Sequence, residues 1–322
     1  SGVWRYDGSA WAQSTGTGGG VSIWGLGPDE LYSVAGTSIY RRTGGTWALF
    51  ATGQWTGNAR ALWVAAPDDI YVVGDAGLVA HYDGDTWTSG AEPTAGGNTL
   101  RAVWGPHPDT VYAAGDNGTI IRSIEGTWAA VTGTGTGTAG QTAIWGTSAR
   151  DVWVAGGGIA THFDGTTWTA TSVGDFFVGM WGTAPNDVYA AVNANTRIWH
   201  YNGTAWSELV RNIGPGNTSG IWTTSVGPVF ASSFQSAGQP PSGYVTRGYR
   251  NTAVNVTGST STLAVDDTVH LNAEATSNGT TVPNVQFIWT STNTDVATVD
   301  VNTGVVTAVA AGSANITATA KG

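Results

Sequence analysis

Six basic side chains stand at one repeated place in the chain. Arg5, Arg41, His81, Arg122, His162 and His200 each lie six positions before a tryptophan (Trp11, Trp47, Trp87, Trp128, Trp168 and Trp206). A matching set of acids, Glu30, Asp69, Asp151 and Asp187, lies six positions after a second series of tryptophans (Trp24, Trp63, Trp145 and Trp181). After Trp104 the acid, Asp109, falls one step short of that place. A histidine beside a carboxylate is the pairing of general acid–base chemistry. A reaction needs such a pair once, however, and here it returns with every repeat. The pattern therefore predicts a structural hydrogen bond, from each cation to the acid that opens a neighbouring strand.

Other chemistry is sparsely represented. Asp75 and Asp116 sit at matching glycine turns, and Asp116-Asn117 could offer oxygen ligands to Ca²⁺, the one cofactor the sequence suggests. There is no cysteine, hence no disulfide and no thiolate metal site. No pair of histidines has zinc spacing, and no glycine-rich segment carries a phosphate-loop lysine. The alternating Thr-Gly run at 132–138 reads as a low-complexity loop. No compact acid–base constellation emerges, so the expectation is a protein that is not an enzyme.

These residues are placed by a unit of about forty residues. One tryptophan series (Trp24, Trp63, Trp104, Trp145, Trp181, Trp222) opens the unit and the other (Trp11 to Trp206) closes it, together using 12 of the 17 tryptophans. Within a unit, an apolar strand ending in Trp-Gly or a variant leads through a turn to a β-branched and aromatic strand, such as Ile70-Tyr71-Val72-Val73. A glycine hairpin, a third strand, a tight Asp-Gly turn and a fourth strand follow. Four antiparallel strands at this period are a β-propeller blade. Two series of six imply an all-β protein with a six-bladed propeller, with seven blades as the alternative count because Gly243–Arg247 supplies a surplus third strand. Residues 1–14 are expected to pair with the strands around Trp222 and Phe230 and so close the ring.

The turns Asp83-Gly84-Asp85-Thr86-Trp87, Asp164-Gly165-Thr166-Thr167-Trp168 and Asn202-Gly203-Thr204-Ala205-Trp206 resemble the Asp-box turns of sialidase-type propellers, although glycine follows the acid directly here. In that family the boxes are structural, so the resemblance implies no activity. Beyond Arg250 the period stops. Trp289-Thr290-Ser291-Thr292-Asn293, Val296-Ala297-Thr298-Val299-Asp300, Gly304-Val305-Val306-Thr307 and Gly312-Ser313-Ala314-Asn315-Ile316-Thr317 resemble the group 2 bacterial immunoglobulin-like domain. That resemblance implies a small β-sandwich on a bacterial cell surface, and it divides the chain into a propeller at 1–250 and an immunoglobulin-like domain at 251–322. The family usually places another strand after Ile-Thr-Ala. A neighbouring molecule that donated it would build a filament; otherwise the strand lies downstream.

In a propeller, the connections that vary between units (48–61, 88–101, 129–143, 169–179, 207–220 and the turns at 192–196 and 233–243) emerge on one face. Variable loops on a rigid scaffold commonly carry function. The candidate ligand-binding residues of that face are Gln54, Trp55, Arg60, Arg101, Asp175, Phe176 and Phe177. With 22 acids against 12 Lys and Arg, the net charge of −10 excludes nucleic acid and anionic membranes as natural partners. No apolar run is long enough to span a membrane. The expectation is an extracellular, non-enzymatic adhesion or assembly module whose partner is a protein, a second copy or a glycan. A carbohydrate-binding lectin is the alternative, and a glycan-cleaving enzyme a more distant one.

Overall fold

The computed structural model describes residues 3–6, 11–14, 16, 19–193, 197–210, 217–223, 229–235, 242–248, 253–258, 262–277, 280–281 and 287–320. Among them are 33 β-strands and three single-turn 3₁₀ segments, so the chain is all-β. It divides into two compact units, residues 1–221 with 232–244 and residues 222–231 with 245–322.

The repeats fold as antiparallel four-stranded sheets in chain order. The first sheet comprises Ser22–Gly27, Glu30–Ala35, Ser38–Thr43 and Thr46–Thr52. Its successors are Ala59–Ala66, Asp69–Gly74, Leu78–Tyr82 and Trp87–Ala91, then Leu100–His107, Thr110–Gly115, Ile120–Ile124 and Thr127–Ala130. The fourth is Gln141–Ser148, Asp151–Gly156, Ile159–Phe163 and Trp168–Ser172, and the fifth is Phe177–Ala184, Asp187–Val192, Arg197–Tyr201 and Trp206–Val210. The first strands of these five sheets pack side by side in sequence order. Second strands such as Asp69–Gly74 and Asp151–Gly156 are buried on both faces, which is why they read as unbroken apolar runs. Fourth strands such as Trp168–Ser172 are almost wholly exposed and correspondingly rich in Thr and Ser.

Among the described residues the expected pairing of residues 1–14 with the strands around Trp222 is not found. Trp4–Tyr6 and Trp11–Gln13 form a two-stranded sheet of their own, and Asn217–Thr223 and Val229–Gln235 take Ser242–Gly248 as their third strand. The surplus strand noted in the sequence is thus the one used. It lies close in sequence, and pairing it closes a far shorter loop than bringing back the N-terminus.

The Trp-Gly motif has a steric cause. A Cβ placed on Gly105 would lie 2.9 Å from the Trp63 ring, one on Gly146 2.8 Å from the Trp104 ring, and one on Gly182 2.5 Å from the Trp145 ring. Each tryptophan therefore lies over the glycine of the next sheet, and Trp63, Trp104 and Trp145 are nearly inaccessible. Trp24 and Trp181 have no such seat, because the following sheets carry Val64 and Thr223 instead of glycine. Their rings meet each other, with centroids 5.9 Å apart.

The tight turns before the fourth strands are held by one side chain each. Asp83 Oδ1 accepts from the backbone N–H of Asp85 and Thr86 at 3.0 and 2.7 Å. Asp164 repeats this with Thr166 and Thr167, and Asn202 with Thr204 and Ala205. These amides hold the carboxyls of Asp83 and Asp164 below the usual carboxylate range.

In the C-terminal segment Ala253–Thr257, Asn272–Ser277 and Thr280–Thr281 form one sheet and Thr268–His270, Val305–Ala308 and Ala297–Val299 another. Phe287–Ser291 pairs with Ile316–Ala320. Trp289 is buried with Ala275, Val306 and Ala318. Its ring covers Gly304, where the backbone φ of +72° already favours glycine and a Cβ would lie 2.7 Å from the indole.

Candidate ligand-binding site

The repeated cations and acids meet as the spacing predicts in four sheets. Arg41 Nη2 lies 2.5 Å from Glu30 Oε1, His81 Nε2 3.0 Å from Asp69 Oδ1, His162 Nε2 2.6 Å from Asp151 Oδ1, and His200 Nε2 2.9 Å from Asp187 Oδ1. Each imidazole also stacks on the aromatic ring opposite it on the second strand: His81 on Tyr71 and His162 on Trp153 with centroids 4.1 Å apart, His200 on Tyr189 at 4.5 Å. Burial works against the charge on Asp151. Hydrogen bonds from His162 and Thr147 outweigh it and leave the carboxyl below its ordinary range.

A second row of charge lies at the opposite end of the second strands, on the face of the variable loops. Arg60 grips Asp75 with Nε and Nη2 at 2.7 and 3.1 Å, and Arg101 grips Asp116 at 2.5 and 2.9 Å. The Arg60 hydrogen bond is the main force holding the Asp75 carboxyl below its usual range, and Arg101 adds to it through space. Two residues marked as ligand candidates and two marked as Ca²⁺ donors are therefore each other's partners. Asp75 and Asp116 spend their oxygens on guanidinium, and among the described residues no three His, Cys, Asp or Glu side chains gather as a metal site would require. The shared interval from Arg to Asp, found in the second and third sheets alone, was the sequence signal for this pairing.

The remaining candidates are scattered by burial. Trp55 is 4 % exposed, bonds the Gly36 carbonyl through its indole N–H and packs on Trp87. Phe177 is fully buried, whereas its neighbour Phe176 is 46 % exposed. Asp175 lies under the rim, 2.5 Å from Arg197 and accepting from the Trp199 indole N–H at 2.9 Å. Gln54 is exposed and anchored to its own loop, donating to the Thr52 carbonyl.

Open space lies between successive sheets, along the exposed fourth strands. Among the described residues, the most voluminous of three such clefts, about 550 Å³, lies between the fourth and fifth sheets. Its aromatic wall is Trp153, Trp199, Tyr201 and Trp206; Thr169, Thr171, Ser172 and Thr204 supply hydroxyls, and His162, Val173 and Ala205 complete the lining. The indole N–H groups of Trp153 and Trp206 are buried and find no acceptor among the described residues, so these two rings present their faces and edges to the cleft without their polar atoms. Sequence reasoning that valued tryptophans by their period passed over this cleft. Trp153 and Trp199 belong to neither series, and that irregularity was the available signal.

Comparison with known proteins fixes the C-terminal segment. Residues 251–322 match the family model of the bacterial Ig-like domain, group 2. No curated protein matches the chain. Among solved structures it resembles the extracellular domain of the B. thetaiotaomicron one-component system BT4673, with a TM-score of 0.59 and 14 % identity over 78 % of this chain and 36 % of that one. It resembles the extracellular domain of BT4673 described as a hybrid two-component system with a TM-score of 0.58 and 13 % identity, over 87 % of this chain and 43 % of that one. The WD40 repeats of RRP9 align with a TM-score of 0.53 and 8 % identity, over 66 % of this chain and 73 % of that one. At these identities the likeness is one of fold. The repeat sheets are propeller-like, and the chain spans less than half of the extracellular domains it resembles. Among the described residues no helix is long and apolar enough to cross a membrane.

Proposed function

We propose that the chain is a non-enzymatic extracellular adhesion module, a six-bladed propeller head at 1–250 joined to an Ig-like spacer at 251–322, and that the head binds glycan. The observation that carries this reading is the cleft between the fourth and fifth sheets. Aromatic faces with interspersed hydroxyls suit a sugar, which offers apolar C–H faces and a rim of hydroxyls. His162, which also lines this cleft, is held by Asp151 at 2.6 Å, and among the described residues no carboxyl side chain lines the cleft, where glycoside hydrolysis needs two. The Ig-like match at 251–322 and the extracellular-domain neighbours favour an extracellular setting.

The test is a glycan array probed with the wild-type protein and with Thr171→Trp. Thr171 is exposed on the fourth strand, so the substitution fills the cleft without touching the core. Saturable binding by wild type, lost in the variant at unchanged melting temperature, is expected. Hydrolysis of the bound glycan, or binding indifferent to Thr171→Trp, overturns the reading.

A further inference from the structure

The third sheet breaks the cation–acid rule that its neighbours obey. Arg122 stands opposite Tyr112, as His81 stands opposite Tyr71 and His162 opposite Trp153. In the other sheets the second strand opens with Glu30, Asp69, Asp151 or Asp187; here it opens with Thr110. The displaced acid, Asp109, turns to His107, with 3.1 Å between Oδ2 and Nδ1. Among the described residues Arg122 has no ion pair or hydrogen bond from its side chain, although it is half-buried. Arg122 lines a cleft of about 300 Å³ between the third and fourth sheets. The other walls are the Phe163 and Trp168 rings, stacked with centroids 5.2 Å apart, the Tyr112 ring and the strand end at Thr132.

We propose that this cleft is a carboxylate-binding site, with Arg122 as the fork that grips the anion and Trp168 and Phe163 as the surface for the ligand's apolar side. A guanidinium partly withdrawn from water, with no counter-charge, is paid for poorly by its surroundings. A planar carboxylate returns two parallel charge-assisted hydrogen bonds, the geometry for which arginine is suited. In every other described repeat cation of the five sheets that role is filled internally by the acid at the strand's start. The carboxylate source is either a small free acid or an acidic sugar within a polysaccharide, and the two share the group that is recognised. This site is separate from the cleft between the fourth and fifth sheets and stands or falls independently of it.

Isothermal titration calorimetry with D-glucuronate, acetate and uncharged D-glucose as probes tests the proposal. Glucuronate should bind and glucose should not; acetate binding as well as glucuronate identifies a free-acid site, and acetate binding far more weakly identifies an acidic-sugar site. Arg122→Gln should weaken glucuronate at least ten-fold. Thr110→Asp should do the same by a different route, because it restores the acid at the place held by Asp69 and Asp151 and occupies the guanidinium internally. That variant should melt no lower than wild type, so its loss of binding cannot come from misfolding. Thr171→Trp should leave the affinity unchanged. Absence of glucuronate binding to wild type at 20-fold the concentration of a millimolar Kd (about 20 mM), or binding that survives Thr110→Asp in a folded protein, overturns the proposal.

Discussion

Trp104 and Trp289 lie in different units and are buried by the same device, an indole laid over a glycine. Trp104 covers Gly146, which belongs to the next sheet; Trp289 covers Gly304, fifteen residues on in its own small fold. The turns show a parallel. Asp83 and Asp164 cap turns in the repeats, and Asp300 caps one in the Ig-like segment by accepting from the amides of Asn302 and Thr303. The two regions thus use one vocabulary of contacts with different reach. In the repeats the bulky group of one unit is completed by a gap in its neighbour, so stability is shared across seams. In the Ig-like segment both halves of these two contacts lie within residues 289–304.

The strongest way to break this comparison is to fill the gaps. Gly146→Ala sets a methyl 2.8 Å from the Trp104 ring, closer than carbon atoms pack, and also against the Asp151 carbonyl. It should cost about 3 kcal/mol and loosen the third and fourth sheets together. Gly304→Ala adds left-handed backbone strain to its clash and should cost about 2 kcal/mol, confined to the Ig-like segment. Amide hydrogen exchange read peptide by peptide gives both footprints. Loosening confined to one sheet in the first variant, or spreading into the repeats in the second, would show that the reaches are not different.

A smaller effect is expected from alkali. Burial pushes the Tyr71 phenol up to about 12, with Asp69 and Asp109 adding to the shift. The folded state therefore keeps a proton that the unfolded chain releases above pH 10, so stability is unaffected below pH 10 and falls as pH rises from 10 towards about 12. Residues 251–322 contain no tyrosine. Alkaline unfolding should accordingly begin in the repeats, and Tyr71→Phe should reduce the slope; equal alkaline loss in both regions would contradict this assignment.

The smallest expected effects come from the turns. Asp164→Ala and Asp300→Ala each remove a fully exposed carboxylate that organises two amides. Each should lower the melting temperature of its own region slightly, by less than either glycine variant, and Asn at the same positions should restore most of the loss because its oxygen accepts the same bonds, as Asn202 does. A drop in the distant region would be evidence against locality.

Much of this architecture is legible in the residues themselves. Periodic tryptophans, β-branched runs and Asp-Gly turns impose strands and hairpins through local sterics, and the four cation–acid pairs follow from register once the strands are drawn. The partner of the strands around Trp222 is not legible, because residues 1–14 and Gly243–Arg247 carry the same third-strand pattern and sequence alone does not say which of them a given edge will take. The binding face was legible only as a list of loop residues. Whether Trp55 faces water or folds under its loop onto Trp87 depends on loop geometry that no spacing encodes. Arg60 and Arg101 read as ligand contacts because their acids lie in the turn after the next strand, at a distance that becomes a contact only after folding. The cleft between the fourth and fifth sheets belongs to two units at once, and a reading that proceeds unit by unit has no place to put it.

The seating of Trp63, Trp104 and Trp145 on Gly105, Gly146 and Gly182 also governs how such an array can change length. A duplication that copies one forty-residue segment in frame copies an indole that fits the following segment and a gap that fits the preceding one. Every junction, old and new, is then complete without a further substitution. The same holds for deletion of one interior segment. Position 64, where valine replaces the glycine, and position 223, where threonine does, are the two places at which this interchange fails. A segment inserted before either would leave its tryptophan unhoused, and array growth is therefore confined to the stretch between them.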